Sequence, residues 1–268
     1  MLNIRNLTRN KSLRIIMQLD SKVVVITGAA RGLGRAYAVA MAAQGASIFA
    51  CDISDCSETM AEVEAVGGRI ETAFTDISDM KSCQAMADAA VAAFGKIDVL
   101  INNAALYATL QGSRFEDLEE AQWDAVMNVN IKGVWQCCKA IVNPMRKAGG
   151  GSIINISSLA AVYGLPYGCD YAASKAAVIG MTRSMARELG KDSIRVNAVA
   201  PSAVMTEGTQ EFFGEKFEKA KTVIAAGQVI PRNLEPADLT GTIIYLASDA
   251  SSFVTGQTHM VDGGSWFL

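Results

Sequence analysis

The chain has 268 residues, half of them hydrophobic and 19% charged, with 24 Lys and Arg against 27 Asp and Glu and a formal charge of −3. A charged fraction below the roughly 25% of an ordinary globular chain means that most of the length packs apolar surface, which excludes general disorder. The acidic balance without a long Lys/Arg run offers no footprint for nucleic acid or an anionic membrane, and no run of 18 or more apolar residues provides a membrane span.

Residues 1–16 carry Arg5, Arg9, Lys11 and Arg14 with no acid before Asp20. They read as an upstream-extended start or a frayed arm, with a mitochondrial-type leader as the alternative, and Met17 makes an ordinary start. From there, apolar β-branched runs alternate with helical patterns. Lys22 to Thr27, Ser47 to Asp52, Ile70 to Thr75, Ile97 to Ile101, Ser152 to Ser157 and Ile194 to Val199 read as strands. Several are continuously apolar, as parallel strands buried on both faces must be. Leu33 to Gln44, Met80 to Phe94, Trp123 to Lys147 and Tyr171 to Leu189 read as helices, with start signals at Ser54-Asp55 and Ser78-Asp79. This βαβ alternation predicts an α/β fold: one Rossmann-type domain over 17–268, a doubly wound parallel sheet with helices on both faces. The irregular stretch 202–235, helix-compatible between Pro201 and Pro236, is expected to form a lid over a site at the strand C-termini.

Six cysteines without a CxxC pair read as reduced thiols of a cytoplasmic protein. The single histidine, His259, cannot supply a multi-His metal site, so no metal is expected, and it reads as a strand or interface residue.

The first strand runs into Thr27-Gly28-Ala29-Ala30-Arg31-Gly32-Leu33-Gly34, and a helix follows at once. A glycine-rich turn between strand and helix brings backbone close to a pyrophosphate and presents free N–H groups at the positive end of the helix. Asp52 closes the second strand, where a carboxylate accepts the ribose hydroxyls of NAD and repels the 2′-phosphate of NADP. Arg31 argues the other way, because a base there meets a phosphate. The expected cofactor is NAD.

The spacing GxxxGxG resembles that of the short-chain dehydrogenase/reductase family, and further matches run in family order over Met17 to Gly264. The resemblance implies that Asp76, in Thr75-Asp76-Ile77, holds the adenine amino group. It also implies that Asn102-Asn103-Ala104-Ala105 forms the turn beside the cofactor, with Ala105 in place of the usual glycine. Pro201-Ser202-Ala203-Val204-Met205-Thr206 resembles the segment that meets the nicotinamide carboxamide.

Tyr171 and Lys175 stand at i and i+4, one above the other on a helix face. A phenol with an ordinary pKa near 10 is a poor base at neutral pH, and an adjacent ammonium, with the positive nicotinamide of NAD, is expected to favour its phenolate. Ser158 lies thirteen residues earlier, where a hydroxyl can hold the substrate oxygen; Ser157 is its alternative. The resemblance adds Asn130 as the residue holding a water behind the lysine. The catalytic set is then Asn130, Ser158, Tyr171 and Lys175, the last two also touching the cofactor.

The expected reaction interconverts a secondary alcohol and a ketone by hydride transfer. Substrate contacts are expected from Ser158, Tyr171, Tyr107, Tyr163 and Phe213, a lining that suits a neutral hydrophobic, cyclic or aromatic alcohol. The closing segment resembles bacterial dehydrogenases of secondary alcohols and sugars. Family resemblance also implies a homotetramer, with Trp266-Phe267-Leu268 touching another subunit. The rivals are an NADPH-dependent 3-oxoacyl carrier-protein reductase and, from another class, a dinucleotide-binding redox sensor without turnover.

Overall fold

The computed structural model describes residues 18–267, so the expectation for residues 1–16 lies outside the described residues. Seven strands form the sheet: β1 (Val23–Thr27), β2 (Ser47–Asp52), β3 (Arg69–Phe74), β4 (Val99–Asn102), β5 (Gly151–Ile156), β6 (Ile194–Pro201) and β7 (Thr258–Val261). Their order is β3-β2-β1-β4-β5-β6-β7, and every pairing is parallel. All strand C-termini therefore share one edge. The order reverses between β1 and β4, which is where doubly wound sheets open a binding crevice.

Because side chains alternate along a strand, each central strand feeds two cores. Val24, Ile26, Val99, Ile101 and Ile154 pack beneath Tyr37 and Met41 of α1 (Gly32–Ala42) and Leu239, Ile243 and Leu246 of α10 (Pro236–Ala247). Val25, Leu100, Ile153 and Val196 pack the other way, against α3 (Met80–Phe94), α5 (Val134–Lys147) and α7 (Cys169–Leu189). The expected single Rossmann-type domain is what forms.

Local signals decide where the helices begin. Asp79 caps α3 by accepting from the Lys81 N–H at 3.0 Å. The other expected signal is displaced: α2 (Ser57–Ala65) starts after Cys56, with Asp55 accepting from the Ser57 N–H at 3.2 Å. The expected helix from Trp123 to Lys147 is interrupted. It is α4 (Glu120–Met127), a π-helical turn over Asn128–Gly133, then α5. The helix-compatible stretch after Pro201 splits at Gly214 (φ +49°) into α8 (Glu207–Phe213) and α9 (Phe217–Ala226). A short α6 (Ala160–Tyr163) follows β5. Strand β7, absent from the expected strands, is a short half-exposed edge whose Thr-His-Met-Val pattern carries little apolar signal; it contains His259.

No helix among the described residues is long and apolar enough to cross a membrane, and no group of three or more His, Cys, Asp or Glu could hold a metal ion. The six cysteines are free, and only Cys169 is exposed.

Candidate active site

At the end of β5 two adjacent serines take different partners. The buried Ser157 hydroxyl donates to the Lys175 carbonyl at 2.8 Å and is used up in packing β5 against α7. Ser158 faces the other way, accepts from the Ala160 N–H at 3.2 Å and stands in hydrogen-bond reach of the Tyr171 hydroxyl. Buried Lys175 extends beside the Tyr171 ring, 5.7 Å from its centroid, and donates from Nζ to the Ile156 carbonyl at 2.9 Å.

The electrostatics differ from the expectation that Lys175 lowers the Tyr171 pKa. Burial pushes the phenol above its ordinary value, the neighbouring Tyr107 raises it further, and only the Ser158 hydrogen bond pulls it down. Burial also brings Lys175 down to about 8. Both groups sit in a wall of low polarity that disfavours either charged form.

Asn130 lies fully buried in the π-helical turn, and such turns often mark functional sites. Its Oδ1 accepts from the Leu106 N–H at 2.7 Å, while Nδ2 donates to the Leu106 carbonyl at 3.1 Å and to Ser174 Oγ at 3.2 Å. These bonds are to Leu106 and Ser174, not to Lys175, so the side chain clamps the loop after β4 to the helix layer.

Three loops at the sheet edge build a cradle that backbone alone can fit. A Cβ on Gly28 (φ +66°) would lie 2.7 Å from the Ala104 Cα, and one on Gly34 would lie 2.1 Å from the Gly28 carbonyl oxygen. Asn103 fastens this turn by donating from Nδ2 to the carbonyls of Thr27 (3.1 Å) and Gly28 (2.9 Å), and the Ala104 N–H donates to Thr27 Oγ1 at 3.1 Å. Ala105 keeps a negative φ, so losing glycine there costs no strain. No side chain caps the N-terminus of α1, where Gly32 and Leu33 sit, so its first N–H groups stay available. Asp52 is pinned at the mouth, accepting from the Ala30 and Ser54 N–H groups at 3.0 Å each. Arg31 points instead to Glu211 of α8. Asp76 holds an Asx turn by accepting from the Ser78 N–H (2.8 Å) and Oγ (2.7 Å), and Ile77 is buried under the π-helical turn. Backbone room, uncapped N–H groups and a fixed carboxylate suit a nicotinamide dinucleotide.

The cradle opens into a cavity of about 600 Å³ bordered by Leu33, Asn103, Ser158, Tyr171, Lys175, Pro201, Val204 and Thr206. Tyr107, Tyr163 and Phe213 line it, and Lys175 is its sole charged lining residue among the described residues. The Tyr107 ring lies 5.2 Å from Tyr171 and stacks on Phe212 at 4.8 Å, with Thr209 near its hydroxyl. The sequence reading missed Thr209, Leu165, Val223 and Ile224 as lining residues. Trp266, expected at a subunit contact, lines this cavity. No local motif marks these positions; each reaches the cavity through the tertiary path of the chain.

The model of a family described as Enoyl-(Acyl carrier protein) reductase matches residues 28–265. The chain belongs to the short-chain dehydrogenase/reductase family. It is 40% identical over 250 residues to 3-oxoacyl-(acyl-carrier-protein) reductase FabG of Thermotoga maritima, covering 92% of this chain and 99% of that one. It is likewise 40% identical over 250 residues to 2-dehydro-3-deoxy-D-gluconate 5-dehydrogenase of Dickeya dadantii, covering 92% and 96%. The crystal structure of carveol dehydrogenase from Mycobacterium avium in complex with NAD superposes with a TM-score of 0.87 at 32% identity, covering 92% of this chain and 98% of that one. This short-chain dehydrogenase/reductase is thus an oxidoreductase of a family that binds a nicotinamide dinucleotide.

Proposed function

We propose that the protein is an NAD-dependent dehydrogenase that interconverts a neutral hydrophobic, cyclic or aromatic secondary alcohol and its ketone. The observation that carries the reading is the Ser158–Tyr171–Lys175 edge opening on an apolar, aromatic cavity with no other charged lining residue. Beyond Lys175, held at the catalytic edge, the described lining gives a phosphate, a carboxylate or an acyl-CoA no charged partner. Asp52 supports NAD, and the NAD-bound carveol dehydrogenase neighbour agrees with that choice.

In this reading the cofactor is held by Gly28, Arg31, Gly32, Leu33 and Gly34 at the glycine turn, by Asp52 at the ribose and by Asp76 and Ile77 at the adenine. Asn103, Ala104, Tyr171, Lys175, Pro201, Val204 and Thr206 surround its nicotinamide end. When bound, the dinucleotide supplies the hydride acceptor. Tyr171 Oη takes the substrate hydroxyl proton, and Ser158 Oγ steadies the oxygen as charge develops. Lys175 Nζ and a water near Asn130 pass the proton outward. Segment 202–235 acts as a lid, the chain assembles as a homotetramer and it works in the cytoplasm. A monomer by light scattering overturns the assembly.

A second reading, NADPH-dependent 3-oxoacyl carrier-protein reductase, is favoured by the identity to the Thermotoga maritima enzyme. One experiment separates the two: reduction of NAD and NADP, followed by nicotinamide absorbance, on a panel of aliphatic, cyclic and aryl secondary alcohols and polyols, beside oxidation of NADPH with a 3-oxoacyl thioester. Turnover with NAD on a cyclic or aryl alcohol supports the proposal. Turnover confined to NADPH and the thioester overturns it.

A further inference from the structure

Two arginines stand near the Asp52 carboxylate, and acids already hold both. Arg35 donates from Nη2 to Glu58 and to the Ala30 carbonyl at 2.6 Å each, with Glu62 3.5 Å from Nη1. Arg31, at the N-cap position of α1, makes a two-pronged pair with Glu211 of α8: Nη2 donates to Oε2 at 2.9 Å, and Nη1 meets Oε1. The pair joins residues 180 apart, so neither motif nor local spacing reveals it. Glu207 adds a further acid over the same turn, its Oε2 3.8 Å from where a Cβ on Gly32 would be. Glu211 and Glu207 both favour the Arg31 cation, and Asp52 does so more weakly.

We infer that Glu211 is a cofactor-specificity residue that acts through Arg31: by holding the guanidinium, it withholds the one base of the glycine turn from the 2′-phosphate of NADP. The inference rests on the NAD reading and adds a second layer to it. Asp52 repels the 2′-phosphate directly, whereas Glu211 removes the cation that would otherwise compensate. A two-pronged guanidinium–carboxylate pair is geometrically specific, so a phosphate must displace Glu211 and leave that carboxylate beside a dianion. Glu211 thus positions Arg31 and is not a catalytic residue.

Calorimetric dissociation constants for NAD and NADP in wild type, Glu211→Gln, Arg31→Ala and the double variant test this without any substrate. Wild type should bind NAD more tightly than NADP. In Glu211→Gln the ratio of the NADP to the NAD constant should fall about two- to fivefold, the size of one partly exposed ion pair. In the Arg31→Ala background the same substitution should leave the ratio unchanged. A wild type that prefers NADP overturns the NAD reading on which the inference stands. A wild type that prefers NAD, with a ratio unmoved by Glu211→Gln, overturns the inference alone. An equal fall in the Arg31→Ala background also overturns it, because it shows a general loss of negative charge.

Discussion

Ser157 and Lys175 hold the strand end and the helix together from both sides. The Ser157 hydroxyl donates to the Lys175 carbonyl at 2.8 Å, while Lys175 Nζ donates to the carbonyl of Ile156, the residue before Ser157, at 2.9 Å. The two serines therefore have separable expected effects. Ser158→Ala should lower kcat by about 10²–10³ with an unchanged melting temperature. Ser157→Ala should cost about 1 kcal/mol of stability, since it removes a buried hydrogen bond between β5 and α7 while the Lys175 carbonyl keeps its place in the helix. Thermal melts and initial rates on both variants check this; a turnover loss confined to Ser157→Ala would reverse the assignment.

Tyr171→Phe should lower turnover by about 10²–10⁴ and change dinucleotide binding far less, because the ring stays beside the cofactor and only the hydroxyl that moves the proton is lost. Burial holds the phenol above its ordinary pKa, so its deprotonated form becomes more abundant as pH rises. Alcohol oxidation should therefore speed up through the alkaline range while ketone reduction slows. Opposed pH profiles of kcat in the two directions are the expected result, and parallel profiles would remove Tyr171 from the proton path.

Lys175 has a pH signature in stability. Its folded pKa of about 8 lies below the ordinary 10.5, so between these values the unfolded chain binds a proton that the folded chain does not. Wild-type stability should rise with pH across that window relative to Lys175→Met, and below about pH 8 the buried ammonium carries its full cost. The gap between the two proteins should change by about 3 kcal/mol from pH 7 to pH 10.5. Urea unfolding at both pH values measures it; a pH-independent gap would place the ammonium in a wetter environment than the fold indicates.

Asp52→Asn should move the NADP/NAD preference towards NADP by about tenfold or more, as repulsion of the 2′-phosphate is lost. Paired titrations with the two dinucleotides read it directly. No shift would mean that the carboxylate serves only its bonds to Ala30 and Ser54.

Phe212→Ala removes the ring stacked on Tyr107 and should raise KM for an aryl or cyclic alcohol by about tenfold, with a smaller change in kcat. Tyr107→Phe keeps the stack and loses only the hydroxyl, so its KM should change less. Initial-rate kinetics rank the two variants, and equal effects would argue that the stack does not border the bound substrate.

Much of the molecule was legible because the signal was local. The continuous apolar run in Lys22 to Thr27 and the helical period of Met80 to Phe94 placed β1 and α3, and the i, i+4 spacing brought Tyr171 and Lys175 to one helix face. The rest depends on meetings that spacing does not encode. The π-helical turn around Asn130 looks like ordinary helix in sequence, and neither the Arg31–Glu211 pair nor the arrival of Trp266 at the cavity has a local trace. The pKa of Tyr171 was misjudged for a related reason: charge spacing along a helix is visible in sequence, whereas the apolar enclosure that outweighs it comes from Tyr107 and the far side of the cavity.

The grip of Asn130 on both the N–H and the carbonyl of Leu106 makes the two sides of the cavity unequal. Tyr107, the next residue, is held by a loop spliced to the helix layer, while Phe212 and Phe213 face it from a short helix. That helix meets the Tyr107 wall through ring stacking and the glycine turn through one surface ion pair. One wall is a jig and the other a replaceable insert. Descendants of this chain could take up differently shaped substrates by rewriting α8 and α9 alone, with the Ser158–Tyr171–Lys175 edge left untouched.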